Sequence, residues 1–170
     1  MNAPSLLNYI NIRTDFKPGD IGYVIYLHGR LYSKEYGYSV SFENYVALGL
    51  SEFYKDYDPH KDRVWICEHH EKIVGFILAA HRENNTIQLR YFILLPEYRG
   101  IGLGRKLMEM YMEFFKSCGY KSSYLWTTKE LESAANIYKK SGFILSEEKE
   151  SSAFGKNVIE QRYYLVIDKF

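Results

Sequence analysis

A short apolar run, Ile87 to Leu95, meets a glycine-rich turn and then a long amphipathic pattern, and this junction constrains the chain more than any other feature. The turn reads Pro96-Glu97-Tyr98-Arg99-Gly100-Ile101-Gly102-Leu103-Gly104-Arg105-Lys106. Between a strand and a helix, such a turn exposes main-chain N–H groups at the helix N-terminus. Unpaired donors and the positive end of the helix dipole favour an anion there. Gly102 and Gly104 carry no side chain, so a pyrophosphate can come close to the main chain. Arg99, Arg105 and Lys106 add positive charge beside it. The pattern predicts a phosphate-bearing cofactor seated between a strand end and a helix start. A nucleoside triphosphatase fits poorly, because Gly104-Arg105-Lys106-Leu107 lacks the Lys-Ser/Thr pair that holds phosphate and magnesium.

The remaining elements follow from hydrophobic period and capping residues. Asn8 to Arg13 alternates as a first strand, and Pro18 suits the first turn of a helix whose inner face is Ile21, Val24, Ile25, His28, Leu31 and Tyr32, ended by Gly37. Ser41 is the expected cap of a second helix facing inward through Phe42, Tyr45, Val46, Gly49, Leu50, Phe53, Tyr54 and Tyr57, stopped by Asp58-Pro59. Arg63–Glu68, Lys72–Ala80 and Thr86–Leu95 read as a three-stranded meander with polar turns at His69-His70-Glu71 and Asn84-Asn85. A helix from about Gly102 to Ser117 carries Leu103, Leu107, Met108, Tyr111, Phe114 and Phe115 on one face and closes at Gly119. Lys121–Trp126 is a further strand. Thr127-x-x-Glu130 is a capping-box pattern opening a helix through Tyr138, with Lys139 and Lys140 in its last turn and Gly142 at its end. Phe143–Lys149 and Val158–Val166 are closing strands around the loop Ser151–Asn157.

At 170 residues the expectation is one domain, 1–170, with no linker or repeat. A net charge of +1 argues against a nucleic-acid partner. No apolar run approaches bilayer length and Met1-Asn2-Ala3-Pro4 lacks a signal-sequence pattern, so no membrane partner and a cytoplasmic location are expected. Cys67 and Cys118 each sit in an apolar pattern and are read as buried thiols of a reducing compartment. The 17 tyrosines suggest a tyrosine-lined cleft without naming its chemistry. His69-His70 has no third ligand at a metal spacing, so no metal site is expected.

Arg99-x-x-Gly102-x-Gly104, after a strand ending Leu94-Leu95-Pro96, resembles the acyl-CoA signature of the GNAT family of N-acetyltransferases. Ala134-Ala135-x-Ile137-Tyr138-x-x-x-Gly142-Phe143 is similar to that family's second signature, and the element order matches over nearly the whole chain. The resemblance implies an α/β (α+β) GNAT fold, a central mixed, mostly antiparallel sheet of about seven strands flanked by about four helices. It implies transfer of an acetyl group from acetyl-CoA to a primary amine of a small molecule or peptide, and a homodimer. It places acyl and pantetheine contacts at Ile93, Leu94 and Leu95, and pyrophosphate contacts at Arg99, Gly100, Ile101, Gly102, Leu103, Gly104, Arg105 and Lys106. A narrower resemblance, to the acetyltransferase half of bacterial MarR–GNAT fusions, lies in His28-Gly29-Arg30-Leu31-Tyr32, Glu35-Tyr36-Gly37, Phe42-Glu43 and Phe154-Gly155. The DNA-binding half has no counterpart, so this chain would be the enzyme part standing alone.

Such chemistry asks for three things. A main-chain N–H near the bulged end of the central strand, around Phe92 to Leu94, can stabilise charge on the carbonyl oxygen. The leaving thiolate, with a solution pKa of about 8.5, departs better when an acid protonates it. Tyr138 matches the family's usual acid, a phenol that stays protonated at neutral pH, although an ordinary core aromatic is the alternative reading. A base must also take the amine's proton. Relatives often place an acid on the central strand where this chain has Gln88 and Arg90, which leaves Glu35, Glu43 and Glu68 as substitutes or simply structural carboxylates. His28 is read as a hydrogen-bonded core histidine, and Leu131 stands where some relatives use an asparagine, with Asn136 nearby. The acceptor pocket is expected from Tyr32 to Phe42 and the loop Ser151–Asn157, with Tyr32, Glu35, Tyr36, Glu43 and Phe154 as binding residues. A non-catalytic acyl-CoA-binding module is the competing function class.

Overall fold

Strong alternation in the middle of the chain builds a sheet, and the helices that interrupt it cover both faces. The computed structural model describes residues 5–167. Its elements are β1 (Asn11–Arg13), α1 (Asp20–Tyr36), α2 (Val40–Lys55), β2 (Arg63–His69), β3 (Lys72–Arg82), β4 (Thr86–Leu94), α3 (Leu103–Ser117), β5 (Ser122–Thr128), α4 (Glu132–Lys140), β6 (Ile144–Ser151) and β7 (Val158–Val166). The seven strands lie in the order β1-β2-β3-β4-β5-β7-β6. All neighbours are antiparallel except β4 and β5, so the sheet is mixed and mostly antiparallel as expected. Among the described residues no helix is long and apolar enough to cross a membrane.

Each face has its own core. Leu103, Leu107, Tyr111 and Phe115 of α3 join Ala135 and Tyr138 of α4 over one face. Val24, Leu31, Phe42, Val46 and Leu50 of α1 and α2 cover the other. Burial of these side chains stabilises the fold at roughly 1.5–3 kcal/mol per large residue. Tyr111, fully buried, keeps its hydroxyl paired with Ser123 Oγ at 2.7 Å.

Local departures from the sequence reading have identifiable causes. Residues 6–9 form a 3-10 turn, so β1 begins at Asn11 rather than Asn8; the Ser5 hydroxyl accepts the Leu7 N–H at the start of that turn. Pro18 lies just before α1 instead of in its first turn, because Asp20 is drawn into a buried ion pair with Arg13 at 2.7 Å and also accepts the Lys17 N–H. Ser39, not Ser41, caps α2 by accepting the Ser41 N–H. The capping box at Thr127 fails. Thr127 and Thr128 remain in β5 opposite Gln161 and Glu160, Thr128 Oγ1 bonds Tyr38 Oη at 2.8 Å, and Glu130 pairs with Lys156, so α4 starts at Glu132 without a side-chain cap. Cys67 is buried, but Cys118 is exposed, because it falls one residue after the amphipathic stretch of α3.

One irregularity positions everything that follows. Tyr91 in β4 has φ +55°, a left-handed conformation costing a tyrosine about 1 kcal/mol or more. It marks a bulge at which the β3–β4 register shifts. Ile87 and Leu89 face the α3/α4 core, and simple alternation would send Tyr91 there too. The bulge instead turns Tyr91 to the α1/α2 side and brings Phe92 and Leu94 to the α3/α4 side.

Candidate active site

β4 and β5 pair only from Thr86–Ser122 to Gln88–Tyr124. β4 continues to Leu94 and β5 to Thr128, so the strands part and leave an edge of β4 free in the gap. A free strand edge presents unpaired N–H and C=O groups. A cleft of about 610 Å3 occupies this gap, lined among others by Phe92, Ile93, Leu94, Gly102, Gly104 and Ile137. A smaller aromatic cavity of about 100 Å3 adjoins it, with Tyr138, Tyr38, Phe42 and Phe154 in its wall. Tyr32, Phe92 and Leu131 line both, so the two spaces meet at these residues.

The glycine turn closes one end of the cleft. Gly100 and Gly102 have φ of +75° and +92°, and Gly102 is the residue immediately before α3. Among the described residues, no protein acceptor takes the main-chain N–H groups of Gly100 through Arg105; the ladder begins with Lys106 donating to the Gly102 carbonyl at 3.0 Å. These free donors at the start of a 15-residue helix form an anion seat made of main chain. A Cβ on Gly104 would press on Ile137 and Leu94 at 3.3 and 3.4 Å, so glycine there lets α3 pack close to α4 and β4.

The sequence-predicted cofactor residues divide. Ile93, Leu94, Arg99, Gly100, Gly102, Gly104 and Arg105 line the cleft. Leu103 is fully buried, Ile101 packs on the same core, and both are left with only their main-chain N–H to offer. Lys106 is exposed on α3, and the Leu95 N–H is already given to the Val74 carbonyl at 2.9 Å. Arg99 spans the cleft mouth. Its guanidinium pairs with Glu35 at 2.9 Å and its Nε donates to the Leu94 carbonyl at 3.1 Å. His69 Nδ1, bonded to Tyr98 Oη at 2.8 Å, ties the β2–β3 hairpin to the turn below it.

Tyr138, 4% exposed, packs edge-on against Phe143 and at a tilt against Phe92 and Tyr163, and its hydroxyl has no hydrogen bond among the described residues. Burial, with a smaller contribution from Tyr32, pushes its pKa well above the ordinary phenol value, so it remains a proton carrier at any working pH. Of the substrate residues, Tyr32, Glu35, Tyr36 and Phe154 line one or both spaces. Glu43 lines neither; its carboxylate lies over Gly29, where a Cβ would strike it, and so packs α2 onto α1. Glu68 is likewise committed elsewhere, held by Arg13 at 2.8 Å. Asn136 is exposed and outside both spaces.

Three cavity residues escaped the sequence reading. Glu160 of β7 is the carboxylate in the aromatic cavity, paired with Lys149 at 3.5 Å. Its alternation with buried Gln161 offered no signal until β7 was placed beside β5. Arg90 and His28 also line the cavity, and both had been read for other roles. Gln88, where an acid was sought, is buried and accepts from Arg82 Nε at 2.9 Å and the Tyr124 hydroxyl at 3.2 Å.

The profile of the acetyltransferase (GNAT) family matches residues 28–143, a span holding the cleft, the turn and Tyr138. The chain belongs to the GNAT acetyltransferase family. It is 33% identical over 118 residues to the uncharacterised N-acetyltransferase YjgM of Escherichia coli (strain K12), covering 67% of this chain and 71% of that one. A GNAT-family acetyltransferase from Staphylococcus aureus Mu50 superposes with a TM-score of 0.76 at 20% identity, covering 94% of this chain and 99% of that chain. The spermidine N-acetyltransferase of Vibrio cholerae, solved with CoA and spermine, superposes with a TM-score of 0.68 at 18% identity, covering 94% and 96%. The β4–β5 gap of this chain thus lies within a GNAT fold, and the chain is an acetyltransferase.

Proposed function

We propose that this GNAT enzyme transfers an acetyl group from acetyl-CoA to a primary amine of a small molecule or peptide by direct attack, with Tyr138 as the acid that protonates the departing CoA thiolate. The observation that carries this reading is the continuous path from the free N–H groups of Gly100–Arg105, along Leu94 and Phe92, to Tyr138. The pyrophosphate takes the turn and the pantetheine arm follows the free edge of β4. The amine enters from the aromatic cavity.

Attack of the neutral amine on the thioester carbon forms the C–N bond and drives an electron pair onto the carbonyl oxygen. A main-chain N–H of the bulged strand between Phe92 and Leu94 stabilises that oxyanion without reorganising. Collapse breaks the C–S bond, the thiolate takes the Tyr138 proton, and the amine's surplus proton leaves through water. Tyr138 is a weaker acid than a phenol in water, but the same apolar surroundings raise the basicity of the thiolate. Arg99 and Glu35, already paired across the mouth, hold α1 against the turn. We also propose a homodimer on the family resemblance, a cytoplasmic setting on the lack of a membrane-length apolar run, and kinship with the MarR–GNAT enzymes on the narrower motifs at His28–Tyr32, Glu35–Gly37, Phe42-Glu43 and Phe154-Gly155.

The test is thiol release from acetyl-CoA with a panel of amines. Tyr138→Phe should lower kcat by about a hundredfold or more while CoA affinity by calorimetry stays within about twofold. Equal turnover by the two proteins removes the acid assignment. Cofactor binding with no turnover on any amine would favour an acyl-CoA-sensing module.

A further inference from the structure

Among the polar groups that line the aromatic cavity, the buried Tyr91 hydroxyl has no partner, and two others of opposite hydrogen-bonding character are incompletely answered by the protein. The first is His28, 1% exposed. Its Nδ1 bonds the Val24 carbonyl at 2.8 Å, so Nδ1 carries the proton and Nε2 is the bare acceptor. Nε2 is buried and has no partner. An acceptor left that way costs about 1–3 kcal/mol, which a bound donor would recover. The rings around His28 are Tyr32, Phe42 and Tyr91, none of them charged at neutral pH.

The second group is Arg90. Among the described residues no carboxylate lies within ion-pair distance of its guanidinium, which donates to Tyr45 Oη at 3.2 Å and rests over the Tyr91 ring at 4.5 Å. Gly49 of α2 makes room for this arrangement: a Cβ there would collide with the Tyr91 hydroxyl and come within 2.9 Å of Arg90 Nη2. Glu160 in the same cavity is paired with Lys149, so it does not answer Arg90.

We propose that the acetyl acceptor is an amine that also carries a carboxylate, an amino-acid-like zwitterion whose carboxylate is held by Arg90 and whose amine donates one N–H to His28 Nε2. This rests on the acetyltransferase reading and names the substrate class of the same site. A polyamine would answer His28 but bring like charge to Arg90. An anion without an N–H would leave Nε2 unpaired. Only a molecule with both groups satisfies both residues. The small volume of the cavity fits the same class.

The experiment measures thiol release with free amino acids, the same compounds as carboxamides, spermidine, and a lysine-containing peptide. The wild type should prefer each acid over its own amide by about tenfold or more in kcat/KM. Arg90→Gln should raise KM for the acid by about tenfold while leaving the amide within about twofold, which also shows that the variant is folded. Arg90→Lys should restore part of the preference. His28→Leu should raise KM for acid and amide alike. Equal use of acids and amides, a preference for spermidine, or equal slowing of acid and amide by Arg90→Gln would overturn the inference and leave acetyl transfer intact. Bound CoA with no turnover on any amine would overturn the acetyltransferase reading, and this inference with it.

Discussion

The phosphate turn and the acceptor cavity meet at Tyr32, Phe92 and Leu131 but are built on different plans. The turn offers main-chain N–H groups from one continuous segment, a geometry that favours negative charge. The cavity is lined by side chains drawn from α1, α2, β4, β5, α4, β7 and the β6–β7 loop, so what it accepts depends on shape and pairing. A main-chain site needs only the right local backbone, so many sequences can make it. A side-chain site depends on every element that brings a residue to it, so it can change while the cofactor seat stays constant.

The largest expected effect lies at the β1 edge of the sheet, outside the lining of both regions, and serves as their control. Asp20→Ala leaves Arg13 without its bidentate partner in a buried setting and should cost about 3–5 kcal/mol of stability in denaturant titration. KM values of the remaining folded enzyme should not move. A shift in either KM would mean that β1 and α1 communicate with the sites.

Next in size is a pH effect centred on the cavity. Burial lowers the His28 pKa to about 4 from an unfolded value near 6.5. As pH falls the unfolded chain takes up this proton first. The contribution is therefore complete above pH 6.5 and is lost progressively toward pH 4, amounting to about 3 kcal/mol. His28→Leu should flatten the stability profile over that window. An unchanged slope would mean that Nε2 is not bare.

Gly102→Glu acts on the turn alone. It forces an L residue into φ +92° and places a carboxylate among the phosphate donors, so CoA affinity should fall by about a hundredfold, read by calorimetry. Unchanged binding would end the main-chain account of the seat. The mildest change is Gly49→Ala, which displaces Arg90 and Tyr91 from α2. Acceptor KM should rise by about three- to tenfold with CoA affinity unchanged. An effect on CoA instead would erase the distinction between the two regions.

Much of this was legible in the chain. The seven strands, four helices and glycine turn follow from period and capping, because each depends on neighbours a few positions away. The segment Gly100–Gly104 could be named as an anion-favouring turn for the same reason, whereas Tyr138 was named only from its resemblance to the family's second signature. The capping box at Thr127 misled because a strand pairing outcompeted it, with Thr128 bonded to Tyr38 instead of to a helix N-terminus. Glu68 and Glu43 looked available as bases because nothing local shows that Arg13 holds the first and Gly29 packs under the second.

By itself, then, the sequence determined the proposed cofactor end of this protein: a strand, a glycine turn and a helix that begins with free N–H donors. Only the tertiary structure decided the acceptor end. The left-handed turn at Tyr91 swaps the faces of β4, parts it from β5, and delivers Phe92 to Tyr138 while Arg90 and Tyr91 go to α2. No hydrophobic period encodes that swap; a bulged strand end around Phe92 to Leu94 was implied only by the family resemblance, and Gly49, on a helix about forty residues away, leaves the place that Tyr91 and Arg90 take.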